Sequence, residues 1–243
     1  MPEQLLFTEF LNHYFGATVT SLLRAIGIQP TYPQAPITNA FAMEVLVFLL
    51  LVLFFAILRS RLSVDKPGDL QHFVEVLDGY ISEQAHDIIG HGYERYVPYV
   101  MTLGFFILLS NLLGLIPGFE SPTASGVVPL GLATTTFIYY HYEGIRHHRH
   151  HYIKQFLGPV WWLAPLMFLI EIISHFARIM SLTIRLYANM FAGDLVTLIC
   201  FALLPPVVPV IFLILHFGVA IVQTFIFVML TIVYMGMAVS EEH

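Results

Sequence analysis

Nine polar side chains stand in the long apolar stretches of the last third of this chain: Glu171, Ser174, His175, Arg178, Arg185, Asn189 and Asp194, then His216 and Gln223. Their surroundings are almost wholly apolar. From Trp161 to Cys200 the only Asp, Glu, Lys or Arg residues are Glu171, Arg178, Arg185 and Asp194. Arg185 makes the heaviest demand. A guanidinium stays protonated at any working pH, its pKa lying above about 12. Placing one at membrane depth costs at least about 2.5 kcal/mol. An imidazole with an ordinary pKa near about 6.5 can exchange protons with a neighbouring carboxylate close to neutral pH. Arginine cannot relay a proton in that way. It can hold a carboxylate ionised by Coulomb attraction in a low dielectric, and so block leakage past it. These residue types point to proton transfer under electrostatic control.

Helical spacing sorts them. At about 100° per residue, measured from Glu171, His175 falls near +40°, Arg178 near −20°, Arg185 near −40° and Asn189 near 0°. They share one stripe, and Ser174 borders it. Asp194, nine residues beyond Arg185, falls on the opposite face and about 13 Å along the axis. Glu171 is on the right face but about 21 Å away. Arg185 thus lacks an anion within reach on its own helix, and its counter-charge is expected from another chain. Milder readings stand beside this one. His175, Asn189 and Gln223 suit interhelical hydrogen bonds, and Arg178 suits snorkelling to the interface.

The element that carries the stripe is long. Leu166–Cys200 as a single helix runs about 52 Å against about 30 Å of hydrocarbon, so it must tilt strongly. Pro205, Pro206 and Pro209 mark a turn, and Val210–Val239 forms a second long helix. Folded antiparallel about that turn, the two set His216 beside Asp194 and Gln223 beside Arg185.

The rest of the chain fits a membrane setting. Its 243 residues are 58% hydrophobic and 11% charged, with a mean hydropathy of +0.79, whereas soluble domains carry about 25% charged residues. The expectation is an all-α integral membrane protein: about five membrane helices plus interfacial amphipathic ones, the last two helices long, tilted and antiparallel. One membrane domain covers 1–243, beginning with an external interfacial segment (1–38) that does not read as a secretory leader. A first span (41–58) contains Glu44 and ends at Arg59 and Arg61, which puts that end in the cytoplasm. A cytoplasmic interfacial helix (69–90), second and third spans (96–140), a basic, histidine-rich cytoplasmic loop (143–158) and the tilted hairpin (160–240) follow. The loop's His147, His148, Arg149, His150 and His151 read as solvated rather than as a metal site. Cys200, the single cysteine, rules out an internal disulfide. No basic block suggests nucleic acid, no GxxxxGK[ST] loop suggests a nucleotide, and no HExxH suggests a metalloprotease.

The run Arg185-Leu-Tyr-Ala-Asn189-Met-Phe-Ala-Gly-Asp194, with His216, Gln223 and Thr231-Ile-Val-Tyr after it, resembles subunit a of F-type ATP synthases. Asn111-Leu-Leu-Gly-Leu-Ile-Pro117 and Pro122-Thr-Ala resemble earlier family segments. The resemblance implies a non-catalytic, cofactor-free stator subunit in a bacterial inner membrane, N-terminus outside and C-terminus cytoplasmic. Its partners would be a rotating c-ring and the subunit b peripheral stalk, and it would offer protons two offset half-channels. Arg185 would be the essential gate facing the ring carboxylate. Asn189, Asp194, His216 and Gln223 would lie near the outer path and the arginine, and Glu171 and Ser174 on the inner side. Three departures stand out: Gly114 occupies a position where many members have a carboxylate, Ser125 and Gly126 follow the Pro-Thr-Ala segment, and Asp194 replaces a glutamate. Glu44 or Glu120 could supply the missing outer carboxylate.

Two other classes could use these histidines and charges. A cytochrome-b-like carrier would use His175 and His216 as haem ligands, and an ion-coupled transporter would show internal repeats, which the sequence does not.

Overall fold

The computed structural model describes residues 4–27, 29, 32, 35–64, 66–116, 118–148, 164–203 and 207–239. Among them the chain is helical without strands: α1 (Leu6–Ala25), α2 (Asn39–Ser60), α3 (Asp69–Ile89), α4 (Val97–Leu113), α5 (Val127–His148), α6 (Ala164–Leu203) and α7 (Val207–Val239). α2, α6 and α7 are long and apolar enough to cross a membrane, and α4 is a shorter apolar helix. The chain is an all-α membrane protein. Much of its surface is leucine, isoleucine and phenylalanine, for example Phe48, Leu53, Ile173, Phe176, Leu198 and Ile214. In a soluble domain that surface would aggregate; facing lipid or a partner helix it is at rest.

Simple signals set the helix ends. The Thr38 hydroxyl accepts from the Phe41 N–H and caps α2. Pro98 sits in the first turn of α4, where its missing N–H costs nothing. α6 is 40 residues and α7 is 33, both longer than expected. α5 also outruns its expected end at Tyr140 and continues to His148. The reason is Glu143, buried and paired with Arg95 at 2.8 Å, which keeps the start of the expected loop packed as helix. The rest of the histidine-rich cluster, Arg149, His150 and His151, and the turn at Pro205 and Pro206, lie outside the described residues.

Three apolar clusters hold the bundle. One joins α3, α4, α5 and the C-terminal part of α7 through Ile81, Ala85, Val100, Tyr140, Ile232 and Met235. A central one joins α4, α5, α6 and α7 through Leu103, Ile107, Ala133, Leu186, Met190 and Phe227. A third, at the other end, joins α2 and α4 through Met43, Val47 and Leu113, with Leu5 and, from α1, Phe7 and Leu11 against it. α1 is tied down further by Asn12, whose amide donates to the Ile37 carbonyl at 3.1 Å and accepts from its N–H at 3.0 Å.

Candidate functional site

The polar groups of the hairpin gather at two places separated along α6. Nearer the turn, Asp194 Oδ1 lies 3.8 Å from His216 Nδ1, and the Asn189 amide donates to Gln223 Oε1 at 2.8 Å. These contacts make α6 and α7 antiparallel. The expected Asp194–His216 pair forms. Gln223, expected beside Arg185, bonds to Asn189, one helical turn along the same helix, while the Asp194–His216 pair keeps the expected register to within a few residues. Gly193 makes the close approach possible, because a Cβ there would stand 2.6 Å from His216 Nε2. His216 is buried, and its Nε2 has no hydrogen-bond partner among the described residues. Glu120 lies within electrostatic range of Asp194 and accepts from the Asn39 amide at 3.3 Å.

About four turns from the Asn189–Gln223 pair is the second gathering, between α6 and α5. His175 is buried and engaged on both ring nitrogens: Nε2 is 3.2 Å from Glu171 Oε1, and Nδ1 is 3.1 Å from the Tyr140 hydroxyl. The His141 ring packs edge-on to it at 4.6 Å. Arg178, which the wheel places on Arg185's stripe, lies over the Tyr234 ring at 5.3 Å, a cation–π contact in place of an ion pair. Ser174 is half-buried on the same stretch.

Between the two stands Arg185, half-buried. Its Nη2 donates to the Ser181 hydroxyl at 3.2 Å, and no carboxylate of the described residues lies within ion-pair distance. Ser181, Ala188, Asn189 and Ala192, its neighbours on that face, are exposed. A positive charge set among small exposed residues gives another helix room to approach closely.

Sequence comparison decides the family. A family model described as ATP synthase A chain matches residues 41–236. The chain belongs to the ATP synthase A chain family. It is 55% identical to the ATP synthase subunit a of Koribacter versatilis over the full length of both. It is 43% identical to that of Solibacter usitatus, over 96% of this chain and all of that one. With the ATP synthase subunit a 1 of Syntrophotalea carbinolica it shares 42% over both full lengths.

Within this family frame the departure at Gly114 has a steric cause: a Cβ there would meet Ser121 Cβ at 2.7 Å, so the loop closes against bare backbone. That closure belongs to a network whose members were visible in the sequence but whose connection was not. The Thr123 hydroxyl donates to Asn111 Oδ1 at 2.6 Å. The Asn111 amide donates to Thr224 Oγ1 at 3.3 Å and the Ala220 carbonyl at 3.4 Å. Ser121 Oγ donates to the Ser110 carbonyl at 3.0 Å and lies 2.7 Å from Thr123 Oγ1. The network pins the loop and α4 to α7 within one turn of Asn189's partner, Gln223. Glu44 is half-buried on α2, and Glu120 is the carboxylate found near Asp194. Tyr140 and Gly193 are the residues sequence reading missed. Only the Gly-Asp dipeptide in an otherwise glycine-free helix hinted at the second.

Proposed function

We propose that this chain is the proton-conducting stator subunit of the membrane sector of an F-type ATP synthase. Two half-channels would lead to a rotating c-ring, one through Asp194, His216, Asn189 and Gln223, the other through Glu171, Ser174 and His175. Arg185 between them would face the ring carboxylate and prevent a short circuit. The observation that carries the reading is Arg185 itself: a cation on an open, small-residue face, without a carboxylate partner among the described residues, flanked on either side by groups that handle protons. A ring carboxylate passing that face supplies the missing charge in turn, so the arginine expels its proton and is itself released when the next arrives. Arginine suits this gate because it cannot give up a proton to the path it guards.

The active sites for ATP would lie in partner subunits, with subunit b anchoring this one. The membrane would be the bacterial inner membrane. The cations of α2's end and of α5's end, Arg59, Arg61 and Arg146, would mark the cytoplasmic side, with the C-terminus there and the N-terminus outside. The alternative use of His175 and His216 as ligands of one haem is disfavoured, since the turn that pairs His216 with Asp194 leaves the two imidazoles about 28 Å apart along the hairpin.

The test is ATP-driven acidification of inside-out vesicles carrying the whole complex, with and without sodium. Arg185→Ala is expected to assemble and to lose pumping, and Arg185→Lys to fail nearly as badly, because lysine lacks the fork and can shed its proton. Normal pumping by Arg185→Ala would refute the gate. Loss of acidification with sodium-dependent ATPase would reassign the ion.

A further inference from the structure

We infer that Glu120, in the loop between α4 and α5, is the entrance group of the outer path, taking a proton from the aqueous side and handing it to Asp194. The inference rests on the proposed role of Asp194 in that path and adds a residue to it. Glu120 is exposed, and its Oε1 accepts at 3.3 Å from the amide of Asn39, the first residue of α2. The Asn39 side-chain oxygen accepts in turn from the Leu5 N–H at 3.4 Å, so the start of the chain helps to hold the carboxylate's anchor. Beyond that anchor, Glu120 lies within electrostatic range of Asp194.

The course of the loop explains the approach. The turn Pro122–Ala124 packs against α2, α4 and α6, and the hydrogen bonds among Ser110, Asn111, Ser121 and Thr123 fix it there. A few residues on, Gly126 abuts Tyr187, since a Cβ would stand 3.9 Å from that ring. Tyr187 and Asp194 are seven residues apart, hence on one face of α6 and about 10 Å apart along its axis. The loop follows that face, with Gly126 at Tyr187 and Glu120 towards Asp194. The titratable groups on the surrounding elements are Asp194 and Tyr187 of α6, His216 of α7, Glu44 of α2, and Glu9 and His13 of α1; the near ends of α4 and α5 bring none. No lysine or arginine of the described residues lies within ion-pair distance of Glu120 or Asp194. Glu120 thus has water on one side and a second acid on the other, and two carboxylates without a cation between them draw protons to this mouth. Protonated Glu120 gives its hydrogen, directly or through one water, to ionised Asp194. Glu120 is left ionised for the next proton, Asp194 carries the hydrogen inwards, and the pair's total charge is the same before and after the transfer.

Glu120→Gln keeps the shape and an acceptor for Asn39, but it holds no charge and carries no proton. In inside-out vesicles of the whole complex, whose lumen meets the outer path, ATP synthesis is driven by a fixed potassium diffusion potential and followed as lumenal pH is varied. The Glu120→Gln profile is expected to move acid-ward by about half a pH unit, the scale of one charge interaction at an exposed site. With the entrance charge gone, the same rate needs a higher lumenal proton concentration. Glu120→Asp, which restores the acid one methylene back, should recover most of that shift. A Glu120→Gln profile that superimposes on the parent, or a shift that Glu120→Asp does not reduce, would overturn the inference. So would a shift that appears with Glu44→Gln and not with Glu120→Gln. Arg185→Ala in the same vesicles separates the outcomes, since it should make no ATP at any lumenal pH. If it does make ATP, the stator reading falls; if it does not, a failed Glu120→Gln test removes only the entrance group.

Discussion

The two ends of the α6–α7 hairpin treat a buried histidine in opposite ways. At one end His175 has a partner on each nitrogen and is walled by aromatic rings. At the other, His216 sits 3.8 Å from Asp194, and its second nitrogen is buried without a partner among the described residues. A saturated imidazole is held in place and changes state only with its partners. An unsaturated one bears a cost of about 1–3 kcal/mol for its unmet nitrogen. The scaffolds differ to match. The His175 end rests on a mainly apolar cluster, while the His216 end is framed by the buried hydrogen bonds of Asn111, Ser121, Thr123 and Thr224. A histidine held on both nitrogens tolerates a greasy wall. A looser site needs its walls fixed by directional bonds.

The sharpest way to break the contrast is to crowd the loose end. Gly193→Val places a Cβ within 2.6 Å of His216 Nε2, and the imidazole must leave its position. ATP-driven pumping is expected to fall by roughly tenfold or more, the range of a lost proton-transfer group. Gly218→Ala on α7, where a Cβ meets nothing within 4 Å, serves as the control and should pump within a factor of about two of the parent. Next comes the frame. Asn111→Ala strands the Thr123 hydroxyl that donates to it, and should destabilise the extracted subunit by about 1–3 kcal/mol. A thermal melt in detergent would register this as a lower transition temperature, while a frame of no consequence would leave it unchanged. The smallest effect is positional: cysteines at 189 and 223 should form a disulfide faster than cysteines at 185 and 223. The reverse order would put Gln223 beside Arg185, as expected from sequence alone.

How much of this was readable beforehand depended on whether a residue's partner lay on its own helix. The polar stripe, the two long helices and the antiparallel Asp194–His216 pair follow from a period of 3.6 residues and one turn, and the structure has them. The Gln223 partner was off by a turn, because periodicity does not say which of two residues stacked on one face of α6 a long amide side chain reaches. Tyr140 was unreadable. Its contact with His175 depends on how α5 packs against α6, and in sequence it is one tyrosine among several in Tyr139-Tyr-His-Tyr142. Gly114 was legible only as a departure, and its cause, the Ser121 approach, is a loop closure. The continuation of α5 past Tyr140 was missed because Glu143 looked solvated until Arg95 was seen to hold it.

The central claim is that the counter-charge for Arg185 arrives on another polypeptide. Its most direct test is a photoreactive benzoylphenylalanine at position 188, exposed on the same face as Arg185, activated in native membranes containing the whole complex and read by mass spectrometry. The account predicts cross-links to the small ring-forming subunit at helix positions next to its carboxylate. Cross-links confined to lipid, or to other segments of this same chain, would contradict it.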